Sequence, residues 1–183
     1  RRTVVSLQQM APTIPQAFLA VEDKRFYEHN GIDWVRFLGA IKANILKLGM
    51  SEGFSTITMQ LVGNIFPEDI NRRERRGVAG VVRKIREAKL ALAIERKYPK
   101  EKILELYLNQ IDLGSRSWGV QAASQRYFGK SASEVNVAEA AMLAALPKAP
   151  TSYNPRRFPR AAVGRRNTII ELLHQDGKLS SEE

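Results

Sequence analysis

Apolar residues recur at spacings of three and four along most of the chain, whereas strict alternation of apolar and polar residues is scarce. Spacing of this kind places the apolar residues on one face of a helix. The predicted helices lie within 14–29, 32–48, about 78–97, 100–110, 117–128, 134–146 and 159–176. The sequence therefore predicts a mainly α-helical protein.

Loop and turn residues separate these segments. Asn30-Gly31 predicts the end of the first helix. The stretch "GMSEGFSTIT" is rich in glycine and hydroxyl side chains, so it predicts a loop that leads into a helix starting near Ser55 or Thr56. Segment 32–48 interleaves basic residues with its apolar face, which is typical either of core packing or of a helix lying on an anionic membrane surface.

Charge and composition narrow the classes of partner. The chain has 183 residues and a formal net charge of +10, which attracts phosphate groups on nucleic acid, lipid or nucleotide alike. It contains no cysteine, so disulfides and thiolate metal sites are excluded. No apolar run reaches the roughly 20 residues of a spanning helix. Because the chain starts at Arg1 without a methionine, we expect a fragment from which a transmembrane anchor has been removed.

Glu22 is the first candidate for chemistry. It follows Phe18 by four residues and precedes Phe26 by four, so a helix through 14–29 would place its carboxylate on the apolar face. Desolvation disfavours a charged carboxylate and suits it to proton transfer. The alternative is a partly buried glutamate paired with a cation. His29 is interpreted as a capping residue, and no two histidines have the spacing of metal ligands.

The second candidate is the cluster "RKIRE" at 83–87. Arg83 and Lys84 precede Glu87 by four and three residues, so they share its helical face, and Arg86 adds a further cation. A carboxylate beside cations stays ionised, which makes Glu87 unsuitable as a general acid. A pyrophosphate leaving group needs cations instead, and this cluster supplies them. The alternative is a surface network of salt bridges.

Five stretches in order resemble the motifs of the peptidoglycan glycosyltransferases, glycosyltransferase family 51. They are "VEDKRFYEHNGID", "GFSTITMQL", "RKIREAKLALAIE", "KEKILELYLNQIDLG" and "AAMLAALPKAPTSYNP". The resemblance runs from about residue 11 to about 175. It implies a single domain over 1–183 with a lysozyme-like helical fold, and a smaller membrane-facing lobe within about 32–75.

The resemblance also implies a function and a location. The family polymerises lipid II at the outer face of the bacterial cytoplasmic membrane. The acceptor 4-hydroxyl attacks the anomeric carbon of the donor, inverts it and expels the lipid pyrophosphate. The implied partners are lipid II, the growing glycan strand, the membrane surface and a transpeptidase domain in the parent chain, with no nucleic acid.

Residue roles follow from the same resemblance. Glu22 corresponds to the general base, and Glu87 to the glutamate that helps to bind the donor pyrophosphate through a divalent ion, Mg²⁺ or Mn²⁺. No organic cofactor is implied. The remaining candidates for substrate and pyrophosphate binding are Asp23, Phe26, Ser55, Thr56, Gln60, Arg83, Lys84, Arg86 and Asn109. For Asn109 and its neighbour Tyr107 the alternative is helix packing, which we prefer for Tyr107.

The chain departs from the family pattern at three positions of the second motif. It has Phe54, Met59 and Gly63 where the family usually has Gly, Gln and often Lys. The missing lysine weakens the expected phosphate site on that helix.

Two other functions fit the residues. One is a muramidase that cleaves finished peptidoglycan, since a lysozyme-like fold with one critical glutamate serves both reactions. The other is a non-catalytic basic module that binds a membrane. Lipid II polymerisation and dependence on Glu22 distinguish the transferase from both.

Overall fold

The structure, a computed structural model, describes residues 3–39, 55–70 and 77–180. Within these ranges it contains seven α-helices and no strand. They are α1 (Thr13–Glu22), α2 (Ile57–Ile65), α3 (Gly77–Lys97), α4 (Lys100–Gln110), α5 (Val120–Phe128), α6 (Val137–Ala145) and α7 (Pro159–Gln175). A short 3₁₀ turn at Leu7–Gln9 precedes α1, and residues 34–39 are also helical. The mainly α prediction is confirmed.

The first helix is shorter than predicted. Its last helical hydrogen bond runs from the Asp23 backbone N–H to the Leu19 carbonyl, and Asp23 then leaves the helical conformation with φ −157°. Residues 24–31 form turns and bends instead of helix. The prediction of a helix to residue 29 is wrong because burial of Phe26 in another compact unit overrides the local spacing. Of the helix predicted for 32–48, residues 32–39 lie in the described part of the chain, and 34–39 are helical.

The chain folds as two compact units. The first contains Arg1–Lys24 and Leu104–Glu183, and the second contains Arg25–Ile103. The predicted lobe within 32–75 falls inside the second unit. That unit also includes the whole of α3, and the membrane-facing lobe itself stays a prediction.

Helix α6 forms the centre of the first unit. It buries six consecutive residues, Ala140 to Ala145, and it packs against α1, α7 and, over a smaller contact, α5. Small side chains on all of its faces allow neighbouring helices to approach from several directions. Phe18 of α1 is fully buried and meets the ring of Tyr107 edge-on at 6.2 Å.

The second unit is built around the packing of α2 on α3. Thr56 caps α2, since its side chain accepts the Met59 backbone N–H at 3.2 Å, and it also donates to the Gly31 carbonyl at 2.7 Å. The predicted start near Ser55 or Thr56 is therefore confirmed. Gly31, with φ +94°, lies so close to the Ala91 backbone that a Cβ would be 3.1 Å from it, which requires glycine here.

Candidate catalytic and pyrophosphate-binding residues

The predicted site residues are distributed over the two units. Glu22, Asp23 and Asn109 belong to the first unit. The second unit contains Phe26, Ser55, Thr56, Gln60, Arg83, Lys84, Arg86 and Glu87. Each group is described within its own unit.

Glu22 is the last residue of α1, and its side chain is partly buried. Four residues earlier on the same helix, Phe18 is fully buried, so the apolar neighbour predicted on the N-terminal side is present. Phe26 is not a helical neighbour, because α1 ends before it. Asp23 follows as the C-cap of α1 and is only 1% exposed.

Glu87 is enclosed by cations on α3. Its side chain is 4% exposed, and Lys84 Nζ lies 2.7 Å from Oε2. Arg83 Nη1 donates to the other oxygen, Oε1. The structure thus brings together three of the residues predicted for the pyrophosphate site, as their spacing on one helical face requires.

Ser55 extends this cluster beyond α3. Lys84 Nζ donates to Ser55 Oγ, which joins the residue before the α2 cap to the cation cluster. Arg86 is exposed on the next turn. Arg83 and Lys84 together with Glu87 leave a net charge of one positive unit (2 − 1 = 1), so the cluster can receive an anion.

The surroundings of Glu87 do not suit a divalent cation. Both carboxylate oxygens already contact cationic side chains, which compete with a metal for the same lone pairs. Over the described ranges, no group of three or more His, Asp or Glu side chains could hold a metal ion.

Phe26 and Asn109 have structural contacts. Phe26 is fully buried, with Lys100 Nζ 4.3 Å above its ring centroid. The Asn109 side chain holds the N-terminal segment: its Nδ2 donates to the Val5 carbonyl at 2.8 Å, and its Oδ1 accepts the Val5 N–H at 3.0 Å. A second Nδ2 bond goes to the Glu105 carbonyl. These contacts favour the structural alternative for Asn109, and substrate binding by either residue stays a prediction.

The departures in the second motif have different surroundings. Met59 is 1% exposed and fills the core of the second unit, and Gly63 is buried on α2. Because α2 carries no basic residue, the described cations next to Ser55 come from α3. Phe54 lies outside the described residues.

The sequence reasoning missed two buried polar connections. Thr58 Oγ1 donates to Glu95 at 2.6 Å, and Lys100 pairs with the same oxygen at 2.9 Å. In the first unit, Asn154 Nδ2 donates to Ser115 Oγ at 2.9 Å. Thr58 and Glu95 are 37 residues apart, and Ser115 and Asn154 are 39 residues apart, so neither pair leaves a periodic signal in the sequence.

His29, interpreted as a cap, accepts the Gly31 N–H through Nδ1 and so closes a turn and not a helix end.

The fold is helical, and a buried carboxylate holds two cationic side chains beside it. These features indicate a helical protein that binds an anionic group. The family profile described as Transglycosylase matches residues 1–174. The chain therefore belongs to the transglycosylase family.

Several relatives of the chain are penicillin-binding proteins. The chain is 45% identical to penicillin-binding protein 1A of Aquifex aeolicus (strain VF5) and 42% identical to penicillin-binding protein 1F of Bacillus subtilis (strain 168), over its whole length in both cases. It is also 42% identical to penicillin-binding protein 1A of Escherichia coli (strain K12). The chain spans only 24%, 24% and 21% of these relatives, respectively.

Among solved structures, the chain is similar to penicillin-binding protein 1A from Haemophilus influenzae. The TM-score is 0.57 at 27% sequence identity, and the match covers all of this chain and 16% of that one. This similarity supports the lysozyme-like helical fold that the motifs implied. Neither a muramidase nor a non-catalytic basic module is favoured by these matches.

Proposed function

We propose that the chain polymerises lipid II into glycan strands by inverting glycosyl transfer. The family membership supports the reaction class. The observation that carries the proposal is the burial of Glu87 between Arg83 and Lys84, because it holds two cations in place for the charge of a diphosphate.

In the proposed reaction Glu22 acts as the general base. It takes the proton from the acceptor 4-hydroxyl as that oxygen bonds to the anomeric carbon of the donor. The bond from that carbon to the lipid pyrophosphate breaks, and the configuration at the carbon inverts. Negative charge then develops on the departing diphosphate.

The cation cluster stabilises this charge. Arg83, Lys84 and Arg86 provide N–H donors, and the hydroxyl of Ser55 adds another at the start of α2, where the helix dipole also favours an anion. Glu87 holds Arg83 and Lys84 in position. Gln60 and Thr56 stay predicted substrate-binding residues, and a Mg²⁺ or Mn²⁺ ion at Glu87 stays a prediction that its present contacts do not favour.

We propose further that the second unit lies against the membrane. Within the described residues, nine of the thirteen exposed large apolar side chains belong to it. They are Tyr27, Trp34, Val35, Leu38, Ile65, Val78, Val81, Val82 and Ile85. None of the helices in the described ranges has the length and apolarity to traverse a bilayer. The proposed location is the outer face of the bacterial cytoplasmic membrane, where the parent protein also carries a transpeptidase domain.

The test is polymerisation of labelled lipid II by the purified chain, with products separated by size. We expect Glu22→Gln to lower the rate at least about 100-fold, because a positioned general base contributes roughly 10²–10⁴-fold. Its helical content should be unchanged. Glu171→Gln, an exposed change on α7, is the matched control and should keep full activity.

A parallel incubation with finished glycan separates the transferase from a muramidase. Glycan strands from lipid II, with no fragments from the finished polymer, are the expected result. If Glu22→Gln kept full activity, Glu22 would not be the general base. If finished glycan were cut into fragments, the chain would be a cleaving enzyme and not a transferase.

A further inference from the structure

A tight turn in the first unit holds two residues in a conformation that side chains rarely adopt. Residues 114–117 form a four-residue turn in which the Ser117 N–H donates to the Gly114 carbonyl at 2.8 Å. Its central residues, Ser115 and Arg116, have φ values of +50° and +61°. Such turns favour asparagine and glycine at these positions, because other side chains are strained there.

The turn is fixed from both sides. Leu113 N–H donates to the Ser117 carbonyl at 2.9 Å, and Asp112 and Trp118 form an antiparallel bridge beyond it. Asn154 Nδ2 anchors the Ser115 hydroxyl at 2.9 Å. These contacts therefore fix the backbone at Arg116. A glycine at position 116 would relieve the strain of the positive φ.

Arg116 lines an open pocket of about 430 Å³ together with Arg126. The remaining lining residues are Ser115, Ser117, Ala122 and Gln125. Ala122, Gln125 and Arg126 have the spacing of one face of α5, so turn and helix face each other across the pocket. None of the described residues that line it is acidic.

The lining defines the chemistry of a ligand. Two guanidinium groups match the planar, bidentate geometry of a carboxylate or a phosphate. The Gln125 amide and the serine hydroxyls can accept as well as donate hydrogen bonds. Phosphate oxygens mainly accept, whereas the peptide groups next to a terminal carboxylate do both. The mixed lining and the volume therefore favour a peptide carboxylate.

We propose that this pocket binds a carboxylate of the peptide branches carried by a peptidoglycan strand. The inference rests on the proposed function for the identity of the ligand and adds a peptide-binding site to it. Strain at a defined position commonly accompanies a functional role, and here the strained residue Arg116 lines the same pocket as Arg126.

The experiment is isothermal titration of the purified chain with a disaccharide pentapeptide that bears free carboxylates. We expect Arg116→Ala and Arg126→Ala each to weaken binding about tenfold, as loss of a charge-assisted hydrogen bond should. Arg116→Gly should weaken binding equally while its thermal midpoint stays the same or rises, because glycine tolerates positive φ. Arg160→Ala, an exposed arginine on α7, is the control for net charge and should bind as the parent does.

Two further ligands identify the source of the anion. The same disaccharide pentapeptide with every carboxylate amidated should bind at least about tenfold more weakly, and inorganic phosphate should not compete. Equal binding of the amidated compound, phosphate competition without peptide binding, or unchanged binding by Arg116→Gly would each overturn the inference. Binding is measured without catalysis, and polymerisation of labelled lipid II by Arg116→Gly is assayed separately, so failure here is distinguishable from failure of polymerisation.

Discussion

At the residue scale, the contacts of a charged side chain decide which chemistry it can perform. Glu87 is buried with a cation on each oxygen, whereas Glu22 ends a helix in a partly buried position. The sequence correctly predicted that Arg83 and Lys84 lie beside Glu87, because the three residues share one helix at spacings of four and three. The sequence-based prediction for Glu22 relied partly on Phe26 as a neighbour on the same helix, but α1 ends at Glu22 and Phe26 is buried in the second unit.

Lys84 is the residue at which the pyrophosphate proposal can be tested most directly. It contacts both Glu87 and Ser55, and its side chain is 28% exposed. We expect Lys84→Gln to raise the KM for lipid II about tenfold and to weaken inhibition by inorganic pyrophosphate, because one charge-assisted contact is lost. Steady-state kinetics measure both quantities.

Lys89→Gln is the matched change, since Lys89 is exposed on the same helix. It should leave the KM unchanged. If the two variants have the same KM and the same sensitivity to pyrophosphate, the cluster does not bind the donor.

At the element scale, the later helices agree with the sequence to within about three residues at each end. Helix α4 begins after Pro99 as predicted, and α7 carries Pro159 in its first turn. The first helix could not be predicted to its end, because the signal at Asp23 is weak and Phe26 continues the periodic pattern. Only the tertiary burial of Phe26 resolves this ambiguity.

The start of α6 allows a prediction about pH. Asn136 and Glu139 cap it reciprocally: each side chain accepts the other's backbone N–H at 2.9 Å. Burial alone would raise the pKa of Glu139, but the Lys130 hydrogen bond, the Asn136 N–H and the Lys130 charge together lower it from its ordinary value of 4.5. A lowered pKa in the folded state stabilises the fold above pH 4.5, and this stabilisation is lost as the pH falls through the folded value.

Glu139→Gln keeps a side-chain oxygen that can cap α6 but removes the negative charge beside Lys130, so it should cost up to about 1 kcal/mol in the free energy of unfolding at pH 7 and less at pH 3. Urea unfolding at both pH values measures the difference. Glu171→Gln, on the exposed face of α7, should show no such dependence. A cost at pH 3 equal to that at pH 7 would contradict the role assigned to the Glu139 charge.

At the scale of the whole molecule, the sequence predicted the fold class and the family, and the lobe expected within 32–75 stays a prediction. The second compact unit extends from Arg25 to Ile103, and no sequence pattern indicates these bounds. Unit boundaries depend on contacts between distant segments, and periodicity within single helices contains no such information. The buried pair of Thr58 and Glu95 illustrates this, because its members lie 37 residues apart.

The exposed apolar residues of the second unit lead to a prediction about membrane binding. Trp34 and Leu38 are 58% and 63% exposed. Replacing both with glutamine should lower binding to vesicles containing an anionic phospholipid, because interfacial binding scales with buried apolar area. Vesicle co-sedimentation measures it, and circular dichroism should show unchanged helical content.

Phe158→Gln is the control, since Phe158 is also exposed but belongs to the first unit. It should bind vesicles as the parent does. If the double variant of Trp34 and Leu38 sedimented with vesicles as the parent does, these two residues would not be part of the membrane contact.

The discontinuous composition of the first unit has a consequence for biosynthesis. Helix α1 packs against α6 and α7, which the ribosome synthesises more than 100 residues later. Residues 25–103 form one uninterrupted stretch, so their unit can fold during translation while the apolar face of α1 still lacks its partners. The apolar face of α1 therefore stays unpacked until α7 has been synthesised. Because the segments of the first unit lie far apart in the sequence, the first unit should fold more slowly than the second.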